Sequence, residues 1–251
     1  MLKIAAAIIT LNEERNIERC IIALAKCVDE IVVLDSFSSD RTEQICKKHK
    51  VRFIQKKWQG YSKTKNQLNN LIDADYIFSV DADEAPDQEL IDDLLRQKEN
   101  GFKGIYEINR KTNYCGQWIR YCGWYPEYKM RLFPKDTCRW IGDFVHETLD
   151  YDNQFQVHTL KGHLNHYSYY NIVEHKNKAL EYSKLSANKY FKAHKKTFLL
   201  QPELSAIIKF ISVFFLKRGF LDGNAGFQIA KISASANRYK YKMLKQLNSK
   251  S

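Results

Sequence analysis

Four short apolar runs limit what this chain can fold into: 4–10 (IAAAIIT), 30–35 (EIVVLD), 51–54 (VRFI) and 76–80 (YIFSV). Each is strand length, and the runs are rich in β-branched residues. Between them the pattern changes to a helical period. In 13–26 the apolar residues Ile17, Cys20, Ile21, Leu24 and Ala25 share one face. Asp40 and Glu43 are spaced as a capping box opening a helix to about residue 49. Residues 64–72 read as helical, and a helix from 87 to about 97 follows Pro86. The order is βαβαβαβ, which predicts an α/β fold with a mainly parallel, doubly wound sheet flanked by helices. Ligands of such sheets bind beyond the carboxyl ends of the strands. The polar clusters at 10–13, at Asp35 and at Asp81-Ala82-Asp83 all fall at those ends.

The rest of the chain differs in character. Residues 104–134 are rich in Tyr, Trp, Arg and Lys, predicting strands joined by an irregular loop. Helical patterning returns over 170–195, 203–218 and 226–247. The net charge of +11 is unevenly distributed: residues 1–150 carry 23 basic and 24 acidic side chains, residues 151–251 carry 17 and 5. A near-neutral front with a basic tail disfavours a uniformly basic nucleic-acid binder, and no nucleic-acid partner is expected. The six cysteines are scattered, which reads as reduced thiols, with Cys115 and Cys122 as the one conceivable pair. The N-terminal run lacks the pattern of a cleaved leader. No window supplies the ~20 apolar residues of a spanning helix.

Asp81-x-Asp83 is the sharpest local feature. Two carboxylates at the end of a buried strand repel each other unless a cation neutralises them. Hard oxygen ligands favour Mg2+ or Mn2+, which in turn bridge diphosphate oxygens. The alternative is a solvated acidic turn capping the next helix.

The segments IITLNEERNI (8–17), EIVVLDSFSSDRT (30–42), GYSKTKNQ (60–67) and YIFSVDADE (76–84) resemble, in order and spacing, the donor half of family 2 glycosyltransferases of the GT-A, Rossmann-like fold. The resemblance implies roles residue by residue. Thr10, Asn12 and Glu13 would border the nucleotide. Asp35 would accept a uracil N–H, Lys63 or Lys65 would lie near the diphosphate or base, Asp81 near the ribose, and Asp83 would ligate the metal. Arg131 is a candidate for phosphate or for a surface salt bridge.

An inverting sugar transfer needs a base for the acceptor hydroxyl and no covalent intermediate. RLFPKD (131–136) and WIGDFVHETL (140–149) are similar to a family subset with an His-Glu pair in the acceptor half. That resemblance implies Glu147 as base, Asp143 in reserve, and His146 at the diphosphate or metal. KRGFLDGNAGF (217–227) resembles the tail of bacterial β-glucosyltransferases that build lipopolysaccharide core.

The expected organisation is a donor half over 1–103, an acceptor half of the same catalytic domain over 104–169, and a helical basic C-terminal segment over 170–251. In 203–218, Ser205, Lys209 and Ser212 form a narrow polar face on an otherwise apolar helix, short of a membrane span. Beside the basic residues of 226–247, this predicts a helix lying on an anionic membrane surface, or else packed under the catalytic domain. The expected activity is metal-dependent inverting transfer from a UDP-sugar to a lipid-linked saccharide, by a cytoplasmic protein peripheral on the inner face of the bacterial membrane. The alternatives are a family 2 relative modifying a protein or wall polymer, and a nucleic-acid-binding protein.

Overall fold

The structure, a computed structural model, describes residues 2–142 and 147–249. It divides into two compact units, Met1–Arg110 with Glu127–Tyr167 and Lys111–Pro126 with Ser168–Ser251.

In the first unit, β1 (Ile4–Thr10), β2 (Glu30–Asp35), β3 (Arg52–Gln55) and β4 (Tyr76–Asp81) pair in parallel, in the order β3-β2-β1-β4. Successive side chains alternate between the two faces. Ile4, Ala6, Ile8, Phe78 and Val80 face α1 (Ile17–Leu24) and α4 (Gln88–Glu99), meeting Ile17, Ile21, Leu24, Leu90 and Leu94. Ala5, Ala7, Ile9 and Val32 face the other way, with Leu68 of α3 (Tyr61–Asn70). Burial on both faces explains why these strands read as continuous apolar runs rather than alternating ones. The helix α2 (Thr42–Lys48) follows β2. The α/β sheet flanked by helices therefore matches the expectation.

Beyond β4 the sheet continues as β8 (Glu127–Pro134), β6 (Ile105–Tyr114), β11 (Val157–Tyr169) and β5 (Glu84–Pro86). The pairs β4–β8, β8–β6 and β11–β5 are antiparallel. The position of β11 is locked by Asp87, the N-cap of α4, whose Oδ1 accepts the N–H of both Leu90 (2.9 Å) and His163 (3.0 Å). Gly162, at φ +81°, lets the chains approach; a Cβ there would lie 2.3 Å from the Leu90 nitrogen. A separate antiparallel pair, β9 (Cys138–Ile141) with β10 (Thr148–Tyr151), completes this unit.

The second unit holds the last residues of β6 and β11, the short β7 (Gln117–Trp118), α5 (Ile172–Lys192), α6 (Gln201–Ile211) and α7 (Gly223–Asn248). The helix expected over 203–218 forms, as an α-helix over Gln201–Ile211 that widens to a π turn over Ser212–Leu216 before Arg218 turns left-handed at φ +52°. The motif that follows makes the turn. Gly219 and Gly226 meet so closely that a Cβ on Gly226 would lie 1.8 Å from the Gly219 oxygen. Asp222, buried, accepts the N–H groups of Arg120 (3.1 Å) and Tyr121 (2.9 Å). KRGFLDGNAGF is thus a corner that fastens the aromatic loop to the start of α7.

The capping box at Asp40 is also not formed. Its carboxylate accepts from Thr42 N and Oγ1 and from Glu14 N, joining two loops instead. All six cysteines are free. No helix among the described residues is long and apolar enough to cross a membrane.

His175 sits among Tyr114, Trp124 and Tyr169, with Nδ1 3.1 Å from the Tyr114 hydroxyl. Burial lowers its pKa to about 4. The folded state therefore resists protonation that the unfolded chain accepts near the usual imidazole value. Stability from this site is complete above about pH 6.5 and falls as pH drops toward 4, by roughly 3 kcal/mol in total. Denaturant unfolding across that range should show the slope, and His175→Gln should flatten it; an unchanged slope would mean the imidazole is not what titrates.

Candidate active site

The strand register brings the polar strand ends together. Thr10 pairs with Asp35, and Ile9 with Asp81, so three carboxyl ends finish level around the switch in strand order between β1 and β4. The loops that follow are laced to one another. Asn12, at φ +55°, donates its N–H to Ser38 Oγ and accepts from Ser39 N, both at 2.8 Å. Glu13 donates its N–H to Thr42 Oγ1 at 2.9 Å, while its carboxylate accepts from Asn16 Nδ2. Thr10 Oγ1 is buried with no hydrogen-bond partner among the described residues. An orphaned hydroxyl of this sort is costly to keep and calls for an explanation.

Asp35 is fully buried. Its carboxylate accepts from Ser38 N and Oγ and from Gln55 Nε2. A carboxylate has about four acceptor positions, so a uracil N–H would use the one left or displace Gln55, the longest of the three at 3.2 Å.

The two aspartates of the D-x-D sequence do not converge on one point. Asp81 is clamped by the protein's own cations: Lys65 Nζ is 3.2 Å from its Oδ1 and Arg131 Nη2 is 2.7 Å from its Oδ2. Burial pushes this carboxyl upward, but Arg131 and Lys65 more than offset it and hold the pKa well below the usual range. Asp83 turns instead to His166, Oδ2 to Nε2 at 3.1 Å. The repulsion that suggested a shared cation is relieved on the Asp81 side without one.

A ladder of alternating charge runs on from Asp81. Arg131 also reaches Glu84 Oε1 at 2.7 Å, and Arg110 reaches the same oxygen at 3.3 Å. Arg110 then meets Glu127 at 2.8 Å, and Glu127 meets Lys129 at 3.0 Å. Glu84 is fully buried, and its other oxygen accepts the Asp81 N–H at 3.0 Å. At the opposite end Lys65 touches Glu147 Oε1 at 3.2 Å and lies over the Trp140 ring, 4.7 Å from its centroid. Asn66 pins α3 to β9 through reciprocal bonds with the Trp140 main chain, both 2.8 Å, and so aims Lys65 at this spot.

Of the expected site residues, Thr10, Asn12, Glu13 and Asp35 therefore line the laced loops, and Lys65, Asp81 and Glu147 form one ion cluster. Lys63 is exposed on the outer face of α3, so Lys65 is the lysine of the pair that the helix buries in the site. Asp143 and His146 lie outside the described residues. Arg131 is neither a surface salt bridge nor open to solvent; it is buried between two carboxylates. Sequence reasoning missed Glu84 and His166. Glu84 stood in the open in YIFSVDADE, one residue past the aspartates. His166 carried no local signal; it reaches Asp83 because β11 pairs with β5 in a register that sets it opposite Glu84.

The cofactor question turns on Asp83 and His166. Together they offer one carboxylate oxygen and one imidazole nitrogen, and no cluster of three or more such ligands occurs among the described residues. Asp83, with His166 beside it, would hold a divalent cation, its carboxylate supplying the hard oxygen that Mg2+ and Mn2+ prefer.

The model of the family described as "Glycosyl transferase family 2" matches residues 6–146. The chain belongs to glycosyltransferase family 2. A glycosyltransferase of Rickettsia typhi is 30% identical over 269 residues, covering 100% of this chain and 89% of the relative. The lipopolysaccharide core biosynthesis glycosyltransferase LpsC of Rhizobium meliloti is 35% identical over 102 residues, 38% of this chain and 37% of its own. Among solved structures, the glucosyl-3-phosphoglycerate synthase of Mycobacterium tuberculosis with Mn2+, UDP and glucosyl-3-phosphoglycerate aligns over 46% of this chain and 45% of its own, at 23% identity and a TM-score of 0.36. As a family 2 glycosyltransferase the chain is an enzyme, and its family model spans the laced loops together with Lys65, Asp81 and Arg131.

Neutralising one member of a buried ion network strands its partners at a cost of about 3–5 kcal/mol. Glu84→Gln should lower unfolding stability by that order, measured in urea. A loss below about 1 kcal/mol would show that Arg131 and Arg110 do not depend on Glu84.

Proposed function

We propose that this glycosyltransferase moves a hexose, glucose or similar, from a UDP donor to a saccharide carried on a lipid, with inversion at the anomeric carbon. The observation that carries this reading is that two pairs gather at the carboxyl end of β4: Lys65 joins Asp81 to Glu147, and Asp83, two residues on, meets His166. One pair suits a nucleotide diphosphate with its cation, the other an incoming hydroxyl. Partial likeness to LpsC supports lipopolysaccharide core as the acceptor class.

The residues divide the work as follows. Thr10, Asn12, Glu13 and Asp35 border the nucleoside, with the orphaned Thr10 hydroxyl available to it. Lys65 orients two carboxylates at once, Asp81 toward the donor and Glu147 toward the acceptor. Glu147 takes the proton of the acceptor hydroxyl as its oxygen attacks the anomeric carbon and the bond to the diphosphate breaks. Asp143 is the reserve for that role, and His146 is assigned to the diphosphate. Held by Asp83 and His166, Mg2+ or Mn2+ would supply charge stabilisation for the leaving diphosphate. Packing of α3 against β9 keeps donor and acceptor groups in one geometry, the main gain of a site that forms no covalent intermediate.

The membrane part of the reading rests on α6. Its polar side is turned inward: the Ser205 carbonyl accepts from Asn237 of α7, and Glu203 pairs with Arg238. Its apolar side is turned outward, with Leu204, Ile207 and Ile208 exposed at 44%, 57% and 65%. A helix with this orientation beside many lysines suits the interface of an anionic membrane on the cytoplasmic side.

A panel of nucleotide sugars with Mn2+ or Mg2+, read by nucleotide release, tests the chemistry. Asp83→Ala should abolish metal-dependent turnover. Glu147→Gln should lower kcat by about 100-fold or more while leaving donor binding within a few-fold. Absence of turnover with every donor would refute the reading, and full activity in Glu147→Gln would move the base elsewhere. For the membrane part, Ile207→Ser with Ile208→Ser should release the protein from anionic vesicles without lowering its thermal midpoint. Undiminished vesicle binding would remove α6 from the interface.

A further inference from the structure

Within the second unit, α5, α6 and α7 enclose a pocket of about 250 Å3 whose lining includes Lys209, Lys240, Ser183, Ser186, Ser233 and Asn237. No aspartate or glutamate lines it, and neither lysine has a carboxylate partner among the described residues. Lys240 rests instead against aromatic rings, 4.4 Å from the Tyr241 centroid and 5.0 Å from that of Tyr190. Burial lowers the pKa of both ammonium groups, and each is further lowered by a neighbouring cation, Lys217 for Lys209 and Lys209 for Lys240. The nearby acid Glu203 is already engaged by Arg238 and Lys242. Two half-buried cations held near each other without an anion are unfavourable as they stand, and a phosphate between them would remove the repulsion and meet the Ser186 and Ser233 hydroxyls, the Ser183 hydroxyl being committed to the Ala179 and Ala236 carbonyls. Lys209 also sits on α6, the helix whose opposite side carries the exposed Ile207 and Ile208.

We propose that this pocket binds the phosphate of a lipid head group, Lys209 and Lys240 gripping the anion while the outer side of α6 lies among the acyl chains. The site is separate from the ion cluster around Asp81, and its lipid source rests on the membrane part of the proposed function. The phosphate chemistry itself does not rest on that reading.

The test uses the full chain and needs no sugar turnover, so its failure is distinct from failure of the catalytic reading. An amine-reactive reagent with mass-spectrometric readout reports the labelling of each lysine, with and without phosphatidylcholine vesicles containing phosphatidic acid, and separately with inorganic phosphate. Vesicles should protect Lys209 and Lys240 about tenfold relative to the exposed Lys231 and Lys245. Lys209→Gln with Lys240→Gln should weaken vesicle binding about tenfold, and Lys231→Gln with Lys245→Gln, which removes the same charge, should weaken it much less. Protection by inorganic phosphate as well supports the pocket. Protection by inorganic phosphate alone overturns the lipid source in favour of a soluble phosphate. Equal losses in the two double variants, or uniform protection of all four lysines, overturn the pocket.

Discussion

The buried ion ladder through Asp81 is the constraint on which the site depends. Each rung joins elements that are distant in the chain: Lys65 from α3, Asp81 from β4, Glu84 from β5, Arg131 from β8 and Arg110 from β6. Placing charge in a low-dielectric interior is unfavourable unless every member is matched. Here the alternation of sign provides the match, and Asp81 and Glu84 each gain two cationic partners. A ladder of this kind contributes little net stability compared with apolar packing, yet it defines one arrangement sharply, because displacing any strand leaves a charge unpaired. Asp83 meets His166 from the same strand end, and Glu147 stays on Lys65.

The ladder also gives the D-x-D sequence a physical division of labour. Asp81 is committed to the protein and would act on a ligand through position rather than through free charge. Asp83, outside the ladder, is the carboxylate with a ligand-like neighbour. The same logic applies to α3: Lys63 and Lys65 differ by two positions, about 200° around the helix, so one faces solvent while the other is buried in the cluster.

The second unit is built on a different principle. Its corner at 217–227 is held by the Gly219–Gly226 approach and by Asp222 accepting two main-chain N–H groups. That corner follows α6 and its π turn, and contacts of Ser205 and Glu203 with α7 leave Ile207 and Ile208 on the outer side, as the pattern of 203–218 led one to expect. Residues 168–251 of this unit carry the whole +12 of the C-terminal stretch, and the Lys209–Lys240 pocket is part of the same excess.

The sequence by itself determined the α/β order, the parallel sheet, the strand-end clusters and the family, because these follow from periodicity and short motifs whose physics is local: a strand buried on two faces must be apolar throughout, and an amphipathic helix must repeat near every fourth residue. It also singled out Asp81, Asp83 and Glu147, and narrowed the lysine to Lys63 or Lys65. What only the tertiary structure decided was which groups meet. His166 against Asp83, Arg131 between Asp81 and Glu84, and Asp40 bridging loops rather than capping a helix all depend on strand register and loop packing. These partners lie 26 to 83 residues apart. No local pattern encodes such pairings, since each is selected by the whole sheet finding an arrangement in which the buried charges of the ladder are matched.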